Sequence, residues 1–512
     1  MSKNGNQSLK KALEETLNLE IANIEESEIA KRGKSVSSKL SIKTKEGDLK
    51  TCFSKCYDIE RYCNQVSDQN SNIPSYQHRS EIKPFNDLWR YESDILKTFD
   101  DLEKKITQMH ITPKLIIAIP DQKRVILEYD EAGSLGRKLV HGYKYLQKLE
   151  NDEVNMSLEI DLANKILAMG IEKSKKTKNE KYLLTQKKAE IKKQQKLVRH
   201  NLRGYINRGI NLNARFQGIA NKYRDYFNNI SIPMRDHKKV KDAYEDYLLE
   251  LTKYKHSMNN LDDAKKELNR LEIDASEASE HLSRIITPNL LDQFVGIIHG
   301  DFGMHHITPN LLLDLDELRI DYMQFDLVRF LKNPLLELSD KELLTYSARY
   351  YVLRKYYEET QDRTTIQPWK ILSMPLERIV GDSDSHLIKQ IDFQRFMGRF
   401  LIINLAESLH MAAIDSKVDI SLLRHYGESE NSDYVHPTYK NKRSLVGWYI
   451  KDSLSVINLM LSDGGRQKFL DILEDRDTPK IIGHIRTFLE RSGIAQIPYN
   501  QSDVVKFFEE EQ

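Results

Sequence analysis

The stretch Phe294-Val295-Gly296-Ile297-Ile298-His299-Gly300-Asp301 determines the fold prediction. Its first five residues form a short apolar run with β-branched members, which indicates a buried strand. Downstream, residues 311–313 and 318–320 predict a short hairpin around an acidic turn, and this hairpin ends at Asp321. The sequence therefore places one carboxylate after a buried strand and a second carboxylate at the end of a hairpin.

Two carboxylates placed in this way suit a phosphoryl-transfer reaction. One carboxylate orients the attacking hydroxyl and takes its proton, while the other holds Mg²⁺ on the phosphates. Phosphoryl transfer depends on such positioning, and on cations that neutralise the developing charge, more than on covalent help. His-Gly-Asp is by itself a weak motif, so the prediction depends on the elements around it.

Two hairpins are predicted upstream, within residues 30–135. Each consists of two apolar or alternating runs that are joined by turn residues. The first hairpin joins residues 36–42 to residues 52–57, and the second joins residues 114–119 to residues 124–129. With the helix between them, the order of elements becomes strand, strand, helix, strand, strand.

Helices are predicted on either side of the first hairpin. Residues 1–30 are expected to form one amphipathic helix. Apolar residues on one face between Trp89 and Phe99 predict another helix, which opens near Pro84. Most of the chain after residue 335 is also expected to be helical.

In this order, the motifs resemble those of the aminoglycoside phosphotransferase and choline kinase group, which are small-molecule kinases. The resemblance implies an α+β fold of the two-lobed, protein-kinase-like type, with a small β-rich N-lobe and a large helical C-lobe that carries a long helical insertion. The expected segments are an N-terminal helix over 1–30, the N-lobe over 31–135, a helical segment with a basic helical-hairpin insertion over 136–290, the catalytic loop and metal-binding region over 291–335, and the C-lobe over 336–512.

The resemblance also implies a nucleotide site in the N-lobe. Lys55, in Phe53-Ser54-Lys55-Cys56-Tyr57, matches the strand lysine that grips the nucleotide phosphates. Glu92 matches the helix glutamate that pairs with this lysine. Glu128 and Tyr129 match the hinge whose backbone meets adenine.

Acids after the insertion match further motifs of the group. Asp301 is the candidate catalytic base, and Asp321 matches the metal-binding acid. Asp326, which precedes Leu327, resembles a structural Asp-Leu element. Asp314 is a rival for the metal role, although an acid in a hairpin turn is more often solvated.

The catalytic loop departs from the family pattern at one position. Kinases of this type place an Asn five residues after the catalytic Asp as a metal ligand, whereas this chain has His306, preceded by His305. Imidazole is a poorer ligand for Mg²⁺ than for Mn²⁺. The implied cofactors are therefore ATP and either Mg²⁺ or Mn²⁺, with Asp321 and His306 as candidate metal ligands. The expected phosphate loop contains a single glycine, Gly33.

The segment over 136–290 is long and partly basic. Residues 171–200 contain ten Lys and one Arg against three Glu. Apolar residues between 248 and 271, at spacings of three and seven, predict a helical hairpin or a short antiparallel coiled coil after a bend near residues 228–233. Three roles stay open for this segment: a solvated hairpin, a docking arm for a protein partner, and a patch for RNA or an anionic membrane, which is the least favoured.

Composition limits the class of protein. Of 512 residues, 78 are Lys or Arg and 77 are Asp or Glu, and the formal net charge of +1 argues against a basic nucleic-acid coat. The 21 Gly and 13 Pro favour long helices over turn-rich β structure. Three cysteines within residues 52–63, without a C-x-x-C pair, indicate a reducing compartment and disfavour a cysteine-based zinc site. No apolar run approaches the roughly 18 residues of a membrane span, so we expect a soluble, cytoplasmic protein.

These observations together predict an ATP-dependent phosphotransferase that transfers the γ-phosphate to a hydroxyl of a small molecule. The partners expected for this activity are ATP and the acceptor. Aminoglycosides, choline, amino alcohols, sugars and nucleosides are all compatible with the motifs. The alternative is a catalytically weak kinase-like scaffold, whose helical insertion binds a partner protein and whose weakness would follow from His306.

Overall fold

The computed structural model describes most of the chain up to residue 331 and three helical pieces after it. The described residues are 3–32, 35–57, 88–106, 110–168, 174–235, 237–256, 261–270, 272, 274–290, 292, 294–331, 395–409, 453–454, 456–458, 460–461 and 478–491. The strands are β1 (Ile21–Arg32), β2 (Ser35–Thr44), β3 (Leu49–Tyr57), β4 (Leu115–Ile119), β5 (Arg124–Glu128), β6 (Val295–Ile298) and β7 (Arg319–Tyr322). The helices are α1 (Lys3–Leu17), α2 (Leu88–Ile106), α3 (Leu135–Ala168), α4 (Ser174–Lys222), α5 (His237–His256), α6 (Leu261–Arg270), α7 (Ala275–Ile286), α8 (Gln324–Leu331), α9 (395–409) and α10 (Thr478–Arg491).

The first five strands form one antiparallel sheet in the order β1-β2-β3-β5-β4. This order contains both predicted hairpins, and α2 follows β3 in sequence as predicted. A small antiparallel sheet near the N-terminus is thus followed by a mainly helical chain, which agrees with the predicted α+β class. The two-lobed arrangement and the segment boundaries stay predictions.

The prediction of one helix over residues 1–30 is wrong. Helix α1 ends at Leu17, and Asn18 adopts a left-handed backbone with φ 51°. The chain then turns into β1, which pairs along almost its whole length with β2. Pairing with a neighbouring strand outweighs the helical propensity of the Glu and Ala residues in this segment.

The two faces of the sheet have different partners, because alternate side chains of a strand point to opposite faces. On the face covered by α1, Leu9 and Leu13 pack with Cys52 and Ile126. On the other face, Tyr57 belongs to the main core together with residues of α2. Lys55 shares this second face, since it lies two residues before Tyr57 on β3.

Helices α3 and α4 form a long antiparallel hairpin. Contacts such as Gln195 Nε2 to the carbonyl of Leu149 and Lys188 Nζ to Ser157 Oγ fix its direction. The chain bends after α4 through a 3-10 helix over Arg224–Ile230, where the sequence predicted a bend. Where the sequence predicts a helical hairpin or a short antiparallel coiled coil, over 248–271, the structure has two helices, α5 up to His256 and α6 from Leu261. Among the described helices, none is long and apolar enough to cross a membrane.

Strands β6 and β7 form a separate antiparallel pair directly before and after the predicted catalytic region. The strand predicted over residues 311–313 is reduced to a single bridge between Leu312 and Ile307. The acidic turn forms a 3-10 helix over Leu315–Glu317. Asp321 therefore lies inside β7, opposite Gly296, rather than after a hairpin.

Candidate active site

Lys55 lies at the centre of the site, on the sheet face that α2 covers. Its side chain is 5% exposed, and its Nζ is 3.3 Å from both carboxylate oxygens of Glu92 on α2. The same ammonium is 3.1 Å from Asp316 Oδ2 and makes an ion pair with Asp314. The structure thus brings Lys55 and Glu92 together, as the sequence predicts, and adds two carboxylates from the segment after the His-Gly-Asp loop.

Tyr57 supports this cluster from the same strand face. Its hydroxyl lies 2.5 Å from Glu92 Oε2 and 3.2 Å from Asp316 Oδ2. Burial raises the pKa of Tyr57 well above its ordinary value, and the neighbouring carboxylates raise it further, so the hydroxyl is a donor. Burial also raises the pKa of Glu92, and the neighbouring Lys55 ammonium offsets part of this rise. Sequence reasoning missed Tyr57, although its position two residues after Lys55 places it on the same face.

Asp314 is held in a conformation that few residues adopt. Its φ of 64° and ψ of 61° lie in the left-handed region, which Asp and Asn tolerate better than most other residues. The 3-10 helix that follows contains Asp316, two residues further along the same segment. The turn acid that we expected to be solvated therefore reaches the Lys55 ammonium.

His306 links the two ends of the site. Its Nε2 is 3.4 Å from Asp301 Oδ2, and its Nδ1 is 3.1 Å from Asp314 Oδ2. The His306 ring therefore lies between the carboxylates of Asp301 and Asp314.

Asp326 on α8 holds the loop that carries Asp301. Asp326 accepts hydrogen bonds from the backbone amides of His299 and Gly300, both at 2.9 Å, and from Gln217 Nε2 at 3.0 Å. Burial raises the pKa of the Asp326 carboxyl, while these donors favour its charged form. Gly300 has φ 86°, and a Cβ there would lie 2.1 Å from the carbonyl oxygen of Glu317. The structural role that the resemblance implied for Asp326 thus corresponds to an anchor for this loop.

Asp326→Asn is expected to lower the free energy of unfolding by about 1–3 kcal/mol. The amide NH₂ group would face one of the buried donors, which then loses its acceptor at about that cost. Urea denaturation of Asp326→Asn and of Asp121→Asn, which changes an exposed acid, measures the difference. Equal stability of the two variants would contradict the anchor role.

Asp321 lies in different surroundings from those that the sequence suggested. Its side chain is 1% exposed, and its Oδ2 is 3.0 Å from Arg319 Nε and 3.1 Å from Arg235 Nε. Its Oδ1 accepts the backbone amide of Tyr322. Two guanidinium groups already neutralise this carboxylate, so a metal ion would have to displace them. Asp314 rather than Asp321 contacts Lys55 and His306, and a metal-binding role for Asp321 stays a prediction.

The predicted hinge follows β5. The backbone amide of Glu128 donates to the carbonyl of Lys114 at 2.9 Å, and the Lys39 ammonium lies 5.2 Å from the ring centroid of Tyr129. The amide of Leu135, which begins α3, donates to the carbonyl of Ile307 at 2.6 Å. The chain between β5 and α3 thus joins the sheet to the loop of His306. Contacts of Glu128 and Tyr129 with adenine stay predictions, and Gly33 lies outside the described residues.

Similarity to known proteins is found among solved structures. No protein-family model matches the chain, and the search of curated sequences gives no match. Among solved structures, the chain is similar to that of a Plasmodium vivax ethanolamine kinase, with a TM-score of 0.37 and 10% sequence identity over 87% of this chain and 84% of that chain. The functional inference therefore depends on the side-chain geometry.

Proposed function

We propose that the protein is an ATP-dependent phosphotransferase that acts on a hydroxyl of a small molecule. The observation that supports this most strongly is the convergence of Lys55, Glu92, Asp314, His306 and Asp301. These residues come from β3, α2 and the two loops between β6 and β7. They form a continuous chain of ion-pair contacts from the buried lysine to the candidate base.

In this proposal, Lys55 binds the nucleotide phosphates. Glu92 and the Tyr57 hydroxyl orient the Lys55 side chain. Both are buried between the sheet and α2, and the Tyr57 hydroxyl donates to Glu92. Asp314 and Asp316 also contact the ammonium. A phosphate oxygen would share or replace these contacts, because it offers the same negative charge to the same donor.

The carboxylate of Asp314 and the imidazole of His306 are the residues that would hold the divalent cation. Carboxylate oxygen suits Mg²⁺, and the addition of an imidazole makes Mn²⁺ a better match than it would be at an all-oxygen site. The cation would neutralise charge on the phosphates as the phosphoryl group transfers. His306 lies between Asp314 and Asp301. It would therefore place the bound cation close to the candidate base, Asp301.

Asp301 would orient the acceptor hydroxyl and take its proton. Its side chain is 23% exposed, in contrast to the buried Asp326 and Asp321, so a substrate hydroxyl can approach it. The amides of His299 and Gly300 donate hydrogen bonds to Asp326, and these bonds hold the loop in place. A base fixed in this way needs little reorganisation before it accepts the proton.

An ADP-release assay with a panel of acceptors tests the proposed function. The panel contains choline, ethanolamine, an aminoglycoside, a hexose and a nucleoside, each with ATP and either Mg²⁺ or Mn²⁺. We expect ADP release above the acceptor-free background with at least one compound. Nucleotide binding without ADP release for every acceptor class would favour the kinase-like scaffold instead. Absence of both binding and ADP release would contradict the proposal.

A further inference from the structure

A second group of side chains with metal-ligand atoms lies around His306, on the side that faces Asp301. Asp301, His305 and His306 each offer one ligand atom, and these three atoms lie within 4.8 Å of one another. The two imidazoles are neighbours on the 3-10 helix Met304–His306, with ring centroids 3.8 Å apart. Two imidazoles and one carboxylate are a donor set that zinc enzymes use, with a water molecule as the fourth ligand.

The backbone of the loop holds these three residues in place. The amide of Gly303 donates to the carbonyl of Asp301 at 2.8 Å, and the amide of His306 donates to the carbonyl of Gly303 at 2.9 Å. A Cβ at Gly303 would lie 2.7 Å from Cε1 of His305. The glycine therefore leaves the space into which the His305 ring folds, next to His306.

The arrangement is close to what one ion requires. Zn²⁺ binds histidine nitrogen and carboxylate oxygen at about 2.0–2.2 Å in tetrahedral geometry, so two ligand atoms of one ion lie about 3.4 Å apart. Side-chain rotations would bring the three ligand atoms from their present spacing, within 4.8 Å, to that distance. His305 is not buried, so an ion can reach the site from solvent.

This site differs in position and in donor set from the one that would hold the nucleotide-bound cation. His306 turns Nδ1 toward Asp314 and Nε2 toward Asp301. The Asp314 side offers one carboxylate and one imidazole nitrogen, and the carboxylate suits hard cations such as Mg²⁺. The Asp301 side offers two imidazoles, which favour Zn²⁺ strongly over Mg²⁺.

We propose that Asp301, His305 and His306 form a binding site for a divalent transition metal, with Zn²⁺ as the best match, and that this site is occupied without nucleotide. A zinc ion there would coordinate the carboxylate of Asp301. That carboxylate would then be unable to accept a proton from the acceptor hydroxyl. Zinc would consequently inhibit phosphotransfer, and this consequence rests on the function proposed above.

Calorimetric titration of the nucleotide-free, full-length protein with ZnCl₂ tests the site directly. We expect the His305→Ala variant to lose at least about tenfold in zinc affinity, since changes around metal ligands alone typically cost 10- to 100-fold. His200→Ala, which removes an exposed histidine of α4, is the matched control and is expected to bind zinc like the unmodified protein. Equal zinc affinity of the unmodified protein and His305→Ala would overturn the proposal.

The inhibition is measured separately, as the ratio of ADP release with and without zinc for each protein, with EDTA used to reverse the effect. Zinc is expected to lower ADP release by the unmodified protein and by His200→Ala, so their ratios lie well below one. For His305→Ala the ratio is expected to be close to one. If zinc binding depends on His305 but the protein has no phosphotransfer activity, the metal site is supported and the proposed function is rejected. Phosphotransfer without His305-dependent zinc binding would reject the metal site alone.

Discussion

Asp301→Asn is expected to lower kcat about 10²- to 10⁴-fold while ATP binding is retained. This is the usual contribution of a positioned general base, and an amide cannot take the proton of the acceptor hydroxyl. Asn has nearly the same shape as Asp, so it fits the same position beside His306 Nε2. The loop anchored by Asp326 is therefore expected to keep its structure.

Steady-state ADP release and calorimetric ATP binding measure the two halves of this expectation. Asp263→Asn changes a half-exposed acid on α6 and is the matched control, with unchanged turnover expected. An Asp301→Asn protein with the turnover of the control would show that Asp301 is not the base. Loss of ATP binding together with turnover would instead show that Asp301 acts on the nucleotide.

Lys55→Met is expected to abolish metal-dependent ATP binding and to destabilise the protein by about 3–5 kcal/mol. Removing one partner of a buried ion pair leaves an uncompensated buried charge, which has about that cost. Here the ammonium has three carboxylate neighbours, Glu92, Asp314 and Asp316, and two of them are almost fully buried. The Tyr57 hydroxyl still donates to the cluster, but it carries no charge.

Urea denaturation and ATP titration of Lys55→Met test both effects. Lys50→Met is the matched control, because Lys50 lies on the same strand but is exposed. We expect the control to unfold within about 0.5 kcal/mol of the unmodified protein, as exposed substitutions usually do. Stability of Lys55→Met equal to that of Lys50→Met would contradict the central place of Lys55 in the cluster.

The N-terminal half of the site could be predicted from the sequence. Strand β3 and helix α2 have clear periodic patterns, and Lys55 and Glu92 lie on their buried, mainly apolar faces, although α2 also buries Glu103. Local pattern and the resemblance agree at these positions. Residues 21–32 could not be assigned correctly, because their helix-forming composition becomes a strand only through pairing with β2.

The metal ligand could not be chosen from the sequence. The sequence shows Asp314 and Asp321 as two acids near the ends of short apolar segments, and both spacings fit a hairpin. The choice depends on the left-handed backbone of Asp314 and on Arg235, which reaches Asp321 from a loop more than eighty residues upstream. The carbonyl of Pro233 accepts the amide of Ile320, which holds this loop against β7. Neither the left-handed backbone of Asp314 nor the contact between Arg235 and Asp321 can be recognised from the sequence around these residues.

The central claim is that Asp314 holds the metal of the bound nucleotide. Thermal unfolding with ATP and either Mg²⁺ or Mn²⁺ tests it most directly, since a ligand that binds only the native state must raise its stability. The proteins compared are the unmodified chain, Asp314→Asn and Asp321→Asn. Asn tolerates the left-handed backbone of residue 314, so Asp314→Asn removes the charge without straining the turn.

Each shift is measured against the same protein without ligand, so that a change in intrinsic stability, expected above all for Asp321→Asn, cancels. We predict a metal-dependent rise in unfolding temperature for the unmodified protein and for Asp321→Asn, and its loss in Asp314→Asn. A shift that persists in Asp314→Asn, or that is absent from the unmodified protein with both metals, would contradict the claim.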